Sequence, residues 1–187
     1  AQEYALWLLW QSNDNASKQP IAMARIAKPI VAILVSDNLS DVAKEHAASV
    51  LSGMTAEELH SIDEYTRATN KEDIVNGGGV LPLVNLLGSG SLGAKKHAAL
   101  TLAQLCRSAD GAVVDTQLNI MEAGAIPALV PWLSDAELGP PAMAARALAE
   151  LRTAHEETQK TIVEAGDSGP LVTMMLDGSA DAPQVAA

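Results

Sequence analysis

The chain has 187 residues, 48% of them hydrophobic, with three Trp, two Tyr and no Phe, enough for one domain with a sizeable core. Its formal net charge of −11 argues against nucleic-acid binding, which needs clustered Lys and Arg at the phosphates, and no apolar run nears the roughly 20 residues that span a bilayer. Cys106 is the only cysteine, which excludes an internal disulfide and a multi-cysteine zinc site and points to a reducing compartment, cytoplasmic or nuclear.

Ala, Leu and Val dominate the apolar content. Ala and Leu are strong helix formers and small side chains let helices approach closely, so the expected class is all-α. "EYALWLLWQS" (Glu3 to Ser12) predicts a helix. "AMARIAKPIVAIL" (Ala22 to Leu34) predicts two short helices about Arg25 and Ile26, followed by the polar loop "VSDNLSD". "DVAKEHAASVLSGM" (Asp41 to Met54) predicts a longer helix. The polar stretch "TAEELHSIDEYTRATNKED" (Thr55 to Asp73) carries two candidate caps and reads as either a protruding loop or an added turn of helix.

"DIVNGGGVLPLVNLL" (Asp73 to Leu87) places three glycines between apolar segments. A phosphate-binding loop would need a following Lys and Ser or Thr, and Val80, Leu81 and Pro82 stand there instead. The glycines are expected to form a turn between helices, where positive φ is tolerated. "GSGSLG" (Gly88 to Gly93) is a loop before the helix "GAKKHAALTLAQLC". Further on, "IMEAGAIPALV" (Ile120 to Val130) precedes Pro131, which removes a helical donor and predicts a kink. Pro140 and Pro141 suit the start of "PAMAARALAELRTA".

The chain repeats itself. "AKEHAASVL" (Ala43 to Leu51) returns as "AKKHAALTL" (Ala94 to Leu102). The block beginning at Ala22 returns at Ile74, Ile120 and Ile162, with spacings of 52, 46 and 42 residues. Each unit reads as a short helix, a turn, a second helix, a polar loop and a longer third helix. That period is the mark of an α-solenoid. The third helix of a preceding repeat occupies 1–16, repeats occupy 17–55, 73–109 and 110–154, an insertion occupies 56–72, and a partial repeat occupies 155–187. Neither end shows an obvious polar capping repeat, so the segment is expected to be cut from a longer array or to meet a partner at its ends.

"EAGAIPALVPWL" (Glu122 to Leu133), "EAGDSGPLVTMM" and "NGGGVLPLVNLL" resemble the turn and second helix of armadillo repeats. The resemblance implies a right-handed superhelix. The first unit departs from it, with Arg25-Ile26 where Ala-Gly belongs, and a less sharply bent turn is expected there.

No catalytic constellation is found. His46, His60, His97 and His155 include no pair at the i, i+4 spacing of a helical zinc site, although His46 and His97 hold equivalent repeat positions. Cys106 has no base in reach along its helix and reads as a buried structural thiol. The adjacent acids Asp63-Glu64 and Glu156-Glu157 point different ways on a helix and read as solvated faces. No cofactor and no metal is expected.

The armadillo resemblance implies a concave groove lined by the third helices. In peptide-binding members a Trp and, one turn later, an Asn form ladders along it. The matching pairs are Trp7 with Gln11, Ser49 with Gly53, Leu100 with Gln104, and Arg146 with Glu150. One turn earlier the same rows hold Tyr4, His46, His97 and Met143. Only the first pair approximates the ladder. A basic peptide would therefore lack its aromatic slots and would meet Lys95, Lys96 and Arg146, so a mixed or apolar partner fits the groove better. The acidity of the chain, −9 from Asp110 onward and −2 before it, favours a basic partner or serves solubility alone. The expected function is a non-enzymatic scaffold holding an extended peptide or partner protein. The alternative is a structural subunit of a larger complex, packed by its ends or convex face.

Overall fold

The computed structural model describes residues 2–11, 18–36, 40–56, 63–107, 113–133, 135, 137 and 139–152. Among them there is no strand. The elements are α1 (Gln2–Gln11), α2 (Lys18–Met23), α3 (Ala27–Leu34), α4 (Asp41–Thr55), α5 (Glu64–Asn76), α6 (Val80–Ser89), α7 (Leu92–Leu105), α8 (Val113–Glu122), α9 (Ala125–Leu129) with a 3-10 turn (Val130–Leu133), and α10 (Pro141–Arg152). α2–α3–α4, α5–α6–α7 and α8–α9–α10 are three successive units, and α1 precedes them as a third helix. The segment expected as a partial repeat, 155–187, lies outside the described residues.

The third helices stack in chain order: α1 packs on α4, α4 on α7, and α7 on α10. Alanine makes the close approach possible. Ala47 and Ala48 of α4, Ala98 and Ala99 of α7, and Ala144 and Ala147 of α10 are all buried, with Leu51, Leu102 and Leu148 filling the space beside them. These residues belong to one continuous core running the length of the described chain. α4 and α7 start alike. Ser40 and Ser91 cap them, each hydroxyl accepting a backbone N–H, from Ala43 at 3.3 Å and from Ala94 at 3.1 Å.

The turn between first and second helices depends on one left-handed residue per unit. Gly78 has φ 78° and Gly124 has φ 88°, the region that Gly enters without steric penalty. The two flanking glycines of the triplet serve a different end. A Cβ on Gly77 or Gly79 would lie 3.1 Å from a methyl of Val31 on α3, and closer still to backbone carbonyls of α5. The triplet therefore lets one turn bend and lets the preceding unit press against it.

Three sequence expectations are revised or narrowed here. Arg25 adopts φ 53°, so the first unit makes the same left-handed turn without glycine rather than a shallower one. Its side chain approaches Asp73 at 3.9 Å beside Lys28 at 2.9 Å, tying the first turn to α5. The polar stretch is helical from Glu64, where Asp63 caps α5 through Thr66 N–H at 2.8 Å. α5 then runs without a break across position 72–73. At Pro131 the second helix passes from α to 3-10 winding, the local consequence of a missing donor.

Candidate functional site

A cleft of about 390 Å³ opens across the third helices. α4 contributes Ser49, Ser52 and Gly53; α7 contributes Lys96, His97, Leu100 and Gln104; α10 contributes Met143 and Arg146. Seven residues expected on a groove from repeat spacing thus line one cleft: Ser49, Gly53, His97, Leu100, Gln104, Met143 and Arg146. The reason is geometric. Residues three or four apart share a helix face, and parallel stacking of third helices aligns those faces into rows.

The lining mixes apolar and polar side chains. Leu100 and Met143 are half-buried, and so are His97 and Arg146, whereas Lys96 is exposed. Gln104 is only 5% exposed. The Thr55 hydroxyl donates to its Oε1 at 2.6 Å, so that oxygen is engaged within the protein.

The remaining expected residues fall elsewhere. His46 is 8% exposed and does not line the cleft. α4 lies between α1 and α7, with α2 and α3 also packed on it, and eleven of its fifteen residues are buried; His46 and Ser49 are both among them, and only Ser49 borders the cleft. Trp7, 38% exposed, and the exposed Gln11 lie on α1, on a different neighbour of α4 from the cleft. Tyr4 is in α1, and its side chain lies outside the described set. Glu150 Oε1 is 3.5 Å from Arg107 Nε and so forms an ion pair at the C-terminal ends of α7 and α10.

Sequence reading missed Ser52 and Thr55. Ser52 is one turn beyond Ser49, so the row itself was the signal. Thr55 stands at the end of α4 as a polar residue closing an apolar run, a weaker one.

No protein-family model and no curated protein sequence matches the chain at a significant level. Solved structures do match. An engineered protein superposes with TM-score 0.63 at 22% identity over 88% of this chain and 62% of its own. A set of computationally designed armadillo repeat proteins for modular peptide recognition gives TM-score 0.66 at 21% identity, over 96% of this chain and 69% of theirs. A designed armadillo repeat protein in complex with the peptide (KR)4 gives 0.61 at 23%, over 92% and 71%. The fold is an armadillo-like repeat solenoid of about four units.

Within this armadillo-like array Cys106 is buried. Burial pushes the Cys106 thiol up to about 12 from an ordinary 9.0, with Glu150 adding to the shift and Lys71 opposing it; at neutral pH it is a protonated core group. Among the described residues, no three His, Cys, Asp or Glu side chains are placed to hold a metal ion, and no helix is long and apolar enough to cross a membrane. A second cleft, about 280 Å³, lies between the second helices α3 and α6 and the start of α4, bordered by Val35, Lys44, Leu81 and Asn85.

Proposed function

We propose that this chain is a non-enzymatic scaffold that holds an extended peptide, or an extended segment of a partner protein, along the concave face of its third helices. The observation that carries the reading is the cleft formed by α4, α7 and α10, lined by apolar Leu100 and Met143 together with polar side chains from all three helices. Apolar anchors ringed by polar groups suit recognition without bond making. Two fold neighbours support it: one set is designed for modular peptide recognition and another holds a peptide. We assign the groove to Ser49, His97, Leu100, Gln104, Met143 and Arg146, with Trp7 and Gln11 extending it along α1.

Selection from a displayed random-peptide library tests this. Peptides enriched on the native protein should lose binding to Leu100→Arg while the variant keeps its helical circular dichroism. Enriched peptides indifferent to that change would defeat the groove reading.

A second reading has its own support. Leu81 on α6 is 56% exposed and Val35, just past the end of α3, is 51% exposed, both bordering the second cleft, and an exposed apolar face can pack into an assembly. A structural subunit would lose its assembly with Leu81→Lys and ignore Leu100→Arg.

A further inference from the structure

We propose that Asn76 is a site of spontaneous deamidation, gated by the closed end of α5, and that its isoaspartyl product dislocates the packing of α5 on the preceding unit. The site lies at the turn between first and second helices, outside the groove.

Sequence and position single out this asparagine. Asn76-Gly77 is the one Asn-Gly step in the chain, and glycine brings no side chain to hinder its own amide nitrogen. Among the described residues, the other exposed asparagines are Asn85 and Asn119, which lie within α6 and α8 and precede the bulky Leu86 and Ile120. Asn76 is exposed and is the last residue of α5, where a helix end opens at little cost to the core. In the open turn the Gly77 nitrogen, its proton lost to water, attacks Asn76 Cγ. The N–Cγ bond forms, the Cγ–Nδ2 bond breaks, and the side-chain nitrogen takes a proton from solvent and leaves as ammonia. Water then opens the cyclic imide. Cleavage at Cγ gives aspartate; cleavage at the main-chain carbonyl gives isoaspartate, whose backbone runs through Cβ and is one carbon longer.

The fold holds this reaction back and is damaged by its product. Gly77 N–H donates to the Asp73 carbonyl at 3.1 Å, Gly78 N–H to Val75 at 3.0 Å and Gly79 N–H to Ile74 at 2.9 Å, bonds that close a helix end. The attacking nitrogen is therefore engaged until the turn opens. An added backbone carbon before Gly77 puts all three bonds out of register. It also displaces glycines that have little room to move: a Cβ on Gly77 or Gly79 would stand 3.1 Å from a methyl of the buried Val31. Charge alone does far less. Glu122 holds the equivalent place, the last residue of α8 and two before the left-handed Gly124, as Asn76 is two before Gly78. Glu72, which accepts from Asn76 Nδ2 at 3.4 Å, repels a new carboxylate only as an exposed i, i+4 pair does.

The test ages the full chain at neutral pH and maps amide-to-acid conversion by peptide mass spectrometry, with isoaspartate identified by an isoaspartyl methyltransferase. We expect conversion at Asn76 to run at least about tenfold faster than at Asn85 or Asn119, and about tenfold faster again in urea that unfolds the protein. Gly78→Ala, which strains the left-handed turn, should speed conversion in the fold by about tenfold. The isoaspartyl form, isolated by chromatography, should unfold at lower urea than Asn76→Asp, which should stay close to the wild type. Conversion at Asn76 no faster than at Asn85 and Asn119 overturns the site. Equal rates in the fold and in urea overturn the gating, a comparison that stands even where Gly78→Ala fails to fold; a folded Gly78→Ala that converts at the wild-type rate overturns it too. An isoaspartyl form as stable as Asn76→Asp overturns the dislocation.

Discussion

The Thr55 hydroxyl donates to Gln104 Oε1 across 2.6 Å, joining the end of α4 to the groove row of α7. Thr55 is fully buried. An amide that the armadillo resemblance places for holding a peptide backbone is thus itself held by the neighbouring unit. Replacing Thr55 with Val keeps the shape and removes the donor. A buried acceptor left without its donor costs about 1–3 kcal/mol. Thr55→Val is therefore expected to lower the urea-unfolding free energy by about that amount, and Gln104→Leu combined with Thr55→Val to add less than Gln104→Leu costs alone. A double-mutant cycle with no coupling would show that the pair does not act together.

The glycine triplet gives a sharper test, because its members carry different duties. Gly78→Ala forces a side chain into the left-handed region and should cost about 1–2 kcal/mol, with no crowding, since open space surrounds it. Gly79→Ala places a Cβ 3.1 Å from Val31 Cγ2 and 2.9 Å from the Ile74 carbonyl, an overpacking change of about 1–3 kcal/mol. Val31→Ala should partly rescue Gly79→Ala and leave the Gly78→Ala penalty untouched. Equal rescue of both would mean that conformation and crowding have been wrongly separated.

Much of this architecture was legible in the sequence for a physical reason. Repeats that pack on copies of themselves must repeat their small and apolar residues, so Ala47-Ala48 and Ala98-Ala99 advertised the stacking. Gly78 and Gly124 advertised the turn because few other residues tolerate positive φ. Arg25 hid the same turn, since nothing local marks an arginine for that region. His46 and Ser49 are both buried, at 8% and 5% exposure, yet only Ser49 borders the cleft: a helical row fixes direction but not which stretch of the helix meets the opening. The start of α5 was obscured by its polarity. On its buried side, Asn70 Nδ2 donates to the Ala22 carbonyl at 3.0 Å, Lys71 donates to the Arg107 carbonyl and Asp73 pairs with Lys28, all distant in sequence, while Arg67 pairs with Glu64 one turn before it.

Cys106 predicts a pH dependence. Its folded pKa is raised to about 12 by burial, so the thiol stays protonated in the fold while the unfolded thiol ionises near 9.0. The stabilisation is complete below pH 9 and is lost as pH rises toward 12. One proton corresponds to about 1.4 kcal/mol per pH unit. Between pH 9 and 11 the wild type should lose stability more steeply than Cys106→Ala, by up to that slope. At pH 8 the folded protein should react slowly with a thiol-specific disulfide reagent and rapidly once unfolded. Parallel pH profiles for the two proteins, or fast reaction of the folded thiol, would contradict the buried placement.

Gln117 closes the ends of two third helices. Its Nε2 donates to the Glu150 carbonyl at 3.0 Å and the Cys106 carbonyl at 3.4 Å, groups at a helix end that have no partner within their own helix. Lys71, 46 positions earlier at the equivalent place in α5, donates to the Arg107 carbonyl just past α7. One repeat thus uses an amide and another a cation for the same task. The C-terminal end of a helix carries partial negative charge, so a cation there is favourable and an anion is not. Gln117→Leu should cost about 1–3 kcal/mol through its two orphaned carbonyls. Gln117→Glu should cost more, because it removes both donors and places negative charge at two helix C-termini. Gln117→Lys should be the mildest of the three. Thermal or urea unfolding of the set gives the order directly, and a glutamate variant more stable than the leucine one would refute this account of the helix ends.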